Sequence, residues 1–299
     1  MNDEFKTRLI HLTHCRGVGW KSILKLLKYD PFLQNLYSLS SEKLQHILQL
    51  PIYHFNEFKK DLQTIPIQDI LNKYTREQIY CISYFDEEYP SLLKTIYDPP
   101  WILYAKGNIS ILEHGKKISV VGTRDPSLYG YQSLQKILMP LLVDDWCIVS
   151  GLAIGIDSAA HRLAIESKCK TIAVLGSGFY HIYPKQNEQL AEDISRDHLL
   201  LSEYPPHQKP NRWAFPMRNR IISGLTRGTI IVQAKERSGS LITAEQAIQQ
   251  GREVFAIPGP VLDERSAGTN RLIQQGAKLV LTAEDVLSEL HVYVEYDNK

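Results

Sequence analysis

The stretch FPMRNRIISGLTRGTIIVQAKERSGS, residues 215–240, contains the signals that decide the fold. Ile221, Ile222 and Leu225 recur at helical spacing, so we expect a helix with one face in a hydrophobic core. The run TIIV at 229–232 is short, β-branched and mostly apolar, which is typical of a strand covered on both faces. A loop follows and leads into a second predicted helix, LITAEQAIQQ. The stretch therefore predicts one strand of a parallel sheet between two helices.

The same region is expected to bind an anion. Between residues 205 and 240 there are seven lysines and arginines against one acid, whereas the net charge of the whole chain is +1. Such a local excess favours an anionic ligand held at one place, and the second helix adds free backbone amides at its N-terminus. A solvated charged face is the alternative, but Trp213 and Phe215 within the cluster favour binding. Arg218 and Arg220 are expected to point away from the core face of the first helix.

Length and composition are those of a globular protein. A chain of 299 residues with 43% hydrophobic residues can bury a sizeable core and suggests two domains, or one large α/β domain with an addition. The four cysteines are widely spaced and form no CxxC pair, so we expect reduced thiols of a cytosolic protein rather than disulfides or a zinc site. A signal-type N-terminus and a long apolar run are both absent from the sequence. We therefore expect a cytoplasmic location and no membrane contact.

Residues 1–75 are predicted to form a small all-helical domain, because apolar residues recur at helical spacing between residues 9 and 50. The sequence CRGVGWKSILKLL, residues 15–27, is similar to a helix-hairpin-helix turn, which can present backbone amides to a nucleic-acid phosphate. Packing of two helices is the alternative use of such a turn. A P-loop is excluded, because Trp20 stands where the pattern needs a glycine before the lysine.

Residues 76–299 are predicted to form an α/β domain with a doubly wound parallel sheet, because short apolar runs alternate with helical segments. Several predicted strands end in small residues, in the sequences GTR, SGLAIG, GSG and RSGS. If these ends share one edge of the sheet, they form a groove rich in backbone N–H donors, where Arg124 of GTR is well placed to contact a phosphate. A surface arginine in a loop is the alternative. The predicted strands lie at 118–121, 146–149, 171–175, 198–201, 229–232, 253–256 and 278–281, with an edge strand near 101–104.

The chain shows no recognisable catalytic motif. GxSxG, HExxH and a Walker pair are absent, and Ser177 of GSG lacks the spacing of a nucleophile elbow. Asp157 and His161 lie four residues apart on one predicted helix, but without an evident third ligand a hydrogen-bonding role is favoured over a metal site. We expect a binding protein rather than an enzyme, with no metal and no cofactor.

Seven ordered motifs give the chain a resemblance to one protein family. They are ISVVGTR, VSGLAIGIDSAAH, LGSGFYHIYPKQN, LSEYPP, FPMRNRIISGL, AKERSGSLITAEQA with GREVFAIPG, and GTNRLIQQGA. With these motifs, about residues 80–285 resemble the DprA/Smf family of bacterial DNA-processing proteins. The resemblance implies an extended Rossmann-like domain preceded by a SAM-like helical domain. It also implies a protein of natural transformation and recombination that binds single-stranded DNA, protects the incoming strand and loads the recombinase RecA onto it.

The resemblance further implies a binding groove. Arg124 matches the arginine that holds backbone phosphate, Phe215 matches the aromatic residue that contacts a base, and Arg212 lies where a basic contact is expected. Arginines for the backbone and an aromatic ring for a base face allow little sequence discrimination. The residues expected to contact nucleic acid are Gly122, Thr123, Arg124, Gly151, Gly155, Gly176, Ser177, Arg212, Phe215, Arg218, Asn219, Arg220, Lys235, Arg237, Ser238, Gly239 and Ser240.

Members of the family form dimers through the C-terminal part of this domain. We expect a homodimer with Leu272, Ile273, Ala277 and Leu279 at the interface, and ordinary core packing is the alternative role of that segment. Many members also carry a C-terminal winged-helix domain. The residues from 281 onward have five acids and one lysine, so we do not expect a nucleic-acid module in them.

Two other functions remain open on the residues alone. A nucleoside-monophosphate phosphoribohydrolase on a related sheet would hold one mononucleotide in the glycine-rich turns, but its PGGxGT-type loop is absent. A dinucleotide-dependent oxidoreductase would need G-x-G-x-x-G spacing after the first strand, where GTRDPS stands. Both would bind a small nucleotide saturably, whereas single-strand binding depends on length and salt.

Overall fold

The structure is a computed structural model that describes the backbone of residues 3–297 and the side chains of residues 3–290. Residues 1–2 and 298–299, the outer ends of the two expected domains, lie outside the described residues. Within the described chain, no helix is both long enough and apolar enough to span a membrane.

Helices form the N-terminal part of the described chain, as the apolar periodicity predicts. The first two are joined through Gly17, which adopts a φ of +76°, and Gly19, which caps the second helix. Pro51 and Pro66 are the N-cap residues of two later helices. A backbone N–H at this position has no partner within the helix, so proline, which lacks the N–H, breaks no helical hydrogen bond there. The helices are α1 (Asp3–His14), α2 (Trp20–Tyr29), α3 (Ser41–Leu48), α4 (Ile52–Thr64) and α5 (Ile67–Arg76).

A nine-stranded sheet organises the remainder of the described chain. Its strands are β1 (Ile79–Ser83), β2 (Ile102–Gly107), β3 (Lys117–Val121), β4 (Cys147–Ser150), β5 (Thr171–Leu175), β6 (Leu199–Ser202), β7 (Gly228–Ile231), β8 (Glu253–Ala256) and β9 (Lys278–Leu279). Their spatial order is β1-β2-β6-β5-β4-β3-β7-β8-β9. Strands β3 to β9 are parallel, and β1 and β2 extend the sheet by antiparallel pairing. The predicted doubly wound, mostly parallel sheet is confirmed.

The predicted edge strand is wrong in its position. The strand near residues 101–104 is β2, which lies between β1 and β6. Pro99 and Pro100 come before the first residue of β2, so they leave its hydrogen-bond ladder intact and allow it an inner position in the sheet. On this side of the sheet the edge strand is β1, which is not among the predicted strands, and it pairs antiparallel with β2, with Ile79 opposite Lys106.

Helices cover both faces of the sheet. Side chains alternate between the two layers along each strand, so that Ile172 and Val174 of β5 belong to one core and Ala173 and Leu175 to another. The flanking helices are α6 (Ser91–Lys94), α7 (Leu128–Val143), α8 (Ile156–Glu166), α9 (Glu188–Asp197), α10 (Ala214–Gly224), α11 (Gly239–Gln249), α12 (Glu264–Gln274) and α13 (Glu284–Asp297).

The N-terminal helices share a hydrophobic core with the sheet. Leu9 of α1 belongs to the same buried cluster as Tyr104 of β2 and Leu200 of β6. The hydroxyl of Thr13 also lies 2.7 Å from the Tyr104 hydroxyl. The chain passes from helices to sheet between α5 and β1, but because packing is continuous across that point, the division into two domains stays a prediction.

The centre of the sheet contains a point where the chain connections diverge. Strands β3 and β7 are neighbours. From β3 the chain passes through α7 to β4 on one side, and from β7 it passes through α11 to β8 on the other. Loops that leave the carboxyl ends of two such strands separate and open a crevice between them. The GTR sequence follows β3, and the loop with Lys235 and Arg237 follows β7, so both flank this crevice.

Candidate nucleic-acid interface

A groove of about 630 Å³ lies at the carboxyl ends of β3 and β7. The loop after β3, one face of α10 and the start of α11 form its walls. Gly151 borders a small adjoining cavity that shares Arg124, Phe215 and Arg218 with the groove. The sequence-predicted residues that line the groove itself are Gly122, Thr123, Arg124, Arg212, Phe215, Arg218, Asn219, Lys235, Arg237, Ser238, Gly239 and Ser240.

Exposed positive charge surrounds the groove. Arg124, Arg212 and Arg237 are exposed, and none of them has an ion-pair partner among the side chains that the structure describes. Lys235 lies 3.1 Å from a carboxylate oxygen of Glu264, but an exposed pair of this kind contributes little in water. The three arginines are therefore available for an anion without breaking an existing ion pair.

Arg218 lies on the floor of the groove, so the prediction that it points away from the core is wrong. Its residue exposure is 5%. The guanidinium donates to the carbonyl oxygens of Gly151 and Val174, and Nε donates to Asn219 Oδ1 at 3.1 Å. A Cβ at residue 151 would lie 2.7 Å from the guanidinium, so the glycine leaves the space that Arg218 fills. Burial lowers the pKa of Arg218 to about 10, which leaves the group charged at neutral pH.

A buried carboxylate accompanies Arg218 at the floor. Asp157, in the first turn of α8, accepts a hydrogen bond from the Gly151 amide at 3.2 Å. Burial raises the pKa of Asp157, and the charge of Arg218 acts in the opposite direction. His161, one turn later, forms a 2.6 Å hydrogen bond with the Thr171 hydroxyl, and burial lowers its pKa to about 3. Among the described residues, no group of three histidine, cysteine, aspartate or glutamate side chains could hold a metal ion.

Two aromatic rings line the groove together with the arginines. The Phe215 ring lies directly against Gly176, where a Cβ would come within 2.7 Å of the ring. Tyr183 lines the groove beside it, with the two ring centroids 5.3 Å apart and the planes inclined by 45°. Sequence reasoning missed Tyr183, whose approach to Phe215 depends on the path of the loop after β5. Its place in the motif LGSGFYHIYPKQN is the one signal that could have identified it.

The N-terminus of α11 opens onto the groove. The Ser238 hydroxyl caps the helix by accepting from the Ser240 amide at 3.3 Å. The side-chain amide of Asn219 donates to the Gly239 carbonyl at 3.3 Å, which joins α10 to α11. The positive end of the helix dipole and its free amides therefore add to the field of the arginines.

Several predicted contact residues support the walls without lining them. Gly155 packs beneath the loop after β3, where a Cβ would lie 2.4 Å from the Thr123 carbonyl oxygen. Ser177 is buried and donates to the His181 carbonyl at 2.7 Å, which holds the turn after β5. Together with Gly176 behind the Phe215 ring, these residues fix the shape of the groove from the layer below.

Arg220 faces the side of α10 opposite the groove, so its predicted place among the groove residues is wrong. It is 6% exposed and forms ion pairs with Glu203 and, at 3.3 Å, with Asp98. Two residues of a helix that are two positions apart point in nearly opposite directions. Arg218 therefore faces the groove, while Arg220 faces a second cavity between the N-terminal helices and the sheet.

The four predicted interface residues differ in accessibility. Leu272 is buried in the core beneath α12, so core packing is its role in the structure. Ile273 and Ala277 pack partly buried against the same core. Leu279 lies in β9, the outermost strand on that side of the sheet, and is 39% exposed. Leu279 is thus the best placed of the four to meet another chain.

Comparison with known proteins agrees with the motifs. The family model for DNA recombination-mediator protein A matches residues 80–291. The DNA processing protein DprA of Bacillus subtilis (strain 168) is 47% identical over 271 residues, which are 90% of this chain and 89% of that protein. The DprA protein of Streptococcus pneumoniae (strain ATCC BAA-255 / R6) is 51% identical over 207 residues, which are 69% of this chain and 73% of that protein.

Solved structures of two relatives have the same fold. The X-ray structure of DprA from Streptococcus pneumoniae superposes with a TM-score of 0.82 and 41% identity, covering 95% of this chain and 97% of that one. DprA of Helicobacter pylori, whose structure was determined to explain its single-stranded DNA binding mode, gives a TM-score of 0.65 and 30% identity, covering 71% and 95%. With the family match over most of its length, this chain belongs to the family of DNA recombination-mediator protein A, whose members are named DprA or Smf.

Proposed function

We propose that the groove binds single-stranded DNA, with the exposed arginines on phosphates and Phe215 against the face of a base. The observation that carries this proposal is the combination found at the crevice between β3 and β7. There, Arg124, Arg212 and Arg237 have no ion-pair partner among the described side chains, and they line the same groove as the half-buried ring of Phe215. The single-stranded DNA binding of the Helicobacter pylori relative supports the same assignment.

The chemistry of the groove favours a single strand over a duplex. A ring such as Phe215 can stack on a base only where that base is unstacked from its neighbours, as it can be in a single strand. Such stacking tolerates every base. The arginines and the α11 amides contact the backbone, which carries no sequence information. Binding is therefore expected to depend on salt and length and to discriminate little between sequences.

The deciding experiment is binding to a labelled oligo-dT of a few dozen nucleotides across a salt series, beside a matched duplex and free mononucleotides. We expect a salt-dependent preference for the single strand. Binding of a mononucleotide alone would overturn the proposal. That result would favour a nucleotide hydrolase, for which the buried Asp157 carboxylate at the groove floor is the candidate group, and release of free base would then be measured.

We further propose that the protein protects incoming DNA in natural transformation and loads RecA onto it. The support is family membership, because the family model describes a DNA recombination mediator. The test is the rate of RecA filament formation on single-stranded DNA with the protein present, absent, or replaced by the Arg124→Ala variant. The proposal requires acceleration by the unaltered protein and its loss in the variant, and equal rates in all three reactions would contradict it.

We also propose that the protein forms a homodimer through the β9 end of the sheet. An outer strand presents unpaired backbone groups that can meet a second chain. Leu279 in β9 and Leu281 just after it are 39% and 58% exposed, so apolar surface is available beside that edge. The homodimer would place two grooves in one particle, which increases the length of strand that one particle can hold.

A further inference from the structure

Helix α10 has a second face that borders a cavity, opposite the face that lines the groove. Phe215, Arg218 and Ile222 border the groove. Trp213, Met217 and Arg220 recur at spacings of four and three on the other side and border the second cavity. Trp213 directly precedes the helix as its N-cap. One helix therefore separates two recesses and contributes an aromatic residue to each.

The second cavity has a volume of about 530 Å³ and lies between the hairpin turn after α1 and the carboxyl end of β6. Its aromatic surface is accessible, because Trp213 is 54% exposed and meets Tyr204 only edge-on, at 5.9 Å between ring centroids. Met217 beside it is 40% exposed. Trp20 also borders the cavity and is stacked on Trp101 at 5.5 Å. The cavity thus offers an indole side chain at a residue whose surface is more than half exposed.

Buried polar groups lie at the margin of this aromatic surface. Arg220 and Glu203 border the cavity and form an ion pair with each other. Two nitrogens of Arg220, Nε and Nη1, and one oxygen of Glu203, Oε1, remain buried without a hydrogen-bond partner among the described residues, and Nε lies 3.3 Å from Asp98 in an ion pair. Buried polar groups are normally paired, so the unmatched Nη1 of Arg220 indicates a missing hydrogen-bond acceptor at this margin of the cavity. The edge of a nucleobase carries donors and acceptors, and its face is apolar.

Neighbouring residues in the sequence line the two recesses in turn. Arg212 lines the groove, Trp213 borders the second cavity, and Phe215 lines the groove again. A helix with its side chains is about 10 Å across, a distance that a few nucleotides of single strand can span. The exposed Arg212 directly precedes Trp213 in sequence and lines the groove, so it is available to a backbone phosphate on the way from the groove to the second cavity.

We propose that the single strand leaves the groove over Arg212 and places a base in the second cavity, with its face on Trp213 and its edge toward Arg220 and Glu203. This inference rests on the proposed single-strand binding of the groove. It assigns to the N-terminal helices a part in holding DNA, because the hairpin turn after α1 forms the opposite wall of the cavity.

The test compares affinity as a function of oligo-dT length for the unaltered protein and for Trp213→Ala. Both proteins should bind the shortest oligonucleotide that fills the groove with equal affinity. For longer oligonucleotides the variant should lose about tenfold, the effect of one base–aromatic contact. Tyr131→Ala removes a similarly exposed ring from α7 and should change neither value. Equal affinities of Trp213→Ala and the unaltered protein at every length would overturn the inference, as would an equal loss at every length.

A second measurement does not depend on the variant's behaviour. Oligo-dT with a single 5-iodouracil at successive positions is cross-linked to the unaltered protein, and the modified residues are identified by mass spectrometry. We expect one set of positions to label Phe215 or Tyr183 and another, a few nucleotides away, to label Trp213 or Met217. Labels confined to the groove would overturn the inference while leaving the proposed function intact. If no oligonucleotide binds in a salt-dependent manner and Arg124→Ala has no effect, both fail together.

Discussion

At the scale of single residues, Arg124 is the cleanest test of phosphate binding, because it is exposed and has no ion-pair partner among the described side chains. Arg124→Ala should weaken binding of all single-stranded sequences alike and reduce the slope of log affinity against log salt by about one. Fluorescence anisotropy across a salt series measures both. Arg196→Ala, at an exposed arginine of α9 outside the groove, is the matched control. An unchanged slope in Arg124→Ala would remove this residue from the phosphate contacts.

Phe215 should act through stacking rather than through charge. Phe215→Ala is expected to cost roughly 1–3 kcal/mol of binding free energy, as loss of one base–aromatic contact does. The salt slope should stay close to that of the unaltered protein, because no counterion is released by a phenyl ring. Phe215→Tyr retains a ring and should bind nearly normally. If the alanine and tyrosine variants bind equally well, the ring makes no base contact.

Gly151 has no side chain to contact a ligand, but it should affect binding through the position of Arg218. A Cβ at residue 151 would lie 2.7 Å from the Arg218 guanidinium, whose carbonyl partners hold it in one place. Gly151→Ala is therefore expected to displace Arg218 from the groove floor and to destabilise the fold by about 1–3 kcal/mol, as overpacking does. Urea denaturation and oligonucleotide binding measure the two effects. Gly115→Ala, where an added Cβ meets nothing within 4 Å, should leave both unchanged.

At the scale of secondary-structure elements, the sequence predicts strands better than it predicts the orientation of charged side chains. The strand at 229–232 is identifiable because its β-branched residues are buried on both faces in β7. The burial of Arg218 and Arg220 is not identifiable from helical spacing. Their partners are the carbonyls of Gly151 and Val174 and the carboxylates of Glu203 and Asp98, which come from distant parts of the chain. Periodicity finds the apolar face of α10, but only the fold shows that its other two faces are enclosed.

The outer strand β9 is the element that should control association. Leu279→Arg places a charge on the exposed side chain of that strand and should convert a dimer to a monomer, because an unpaired charge in an apolar interface is costly. Sedimentation equilibrium measures the change. Val143→Arg introduces the same charge at an 84% exposed position of α7 and should leave the mass unchanged. A monomeric unaltered protein, or a dimeric Leu279→Arg variant, would argue against this interface.

At the scale of the whole molecule, the N-terminal helices and the sheet are joined by a buried polar cluster as well as by a common core. His14 of α1 is 6% exposed. Its Nδ1 donates to the Ile10 carbonyl at 2.9 Å, and because that nitrogen carries the proton, Nε2 accepts from the Tyr74 hydroxyl at 2.9 Å. The His207 ring, from the loop after β6, lies 5.4 Å from the His14 ring. A change in the charge of His14 therefore acts on the junction between the two parts.

The pH dependence of stability should report on this junction. Burial lowers the pKa of His14 to about 4 from an ordinary value of 6.5, and the neighbouring His207 and His11 act in the same direction. Between these two values the unfolded chain binds the proton and the folded chain does not, so the free energy of unfolding falls as pH is lowered from 6.5 to 4. The contribution of His14 is at most roughly 3.5 kcal/mol, at about 1.4 kcal/mol per pKa unit.

Urea denaturation at a series of pH values measures the free energy of unfolding of the unaltered protein and of two variants. His14→Gln removes the titrating group, so its stability should fall less steeply below pH 6.5 than that of the unaltered protein, whatever its stability at pH 7.5. His46→Gln, at an exposed histidine of α3, should retain the steep fall. Because His14 lies where the helices meet the sheet, fluorescence from Trp20 and from Trp146 in the core of the sheet should report the same transition. Parallel pH profiles for His14→Gln and the unaltered protein would show that the junction does not hold a neutral histidine.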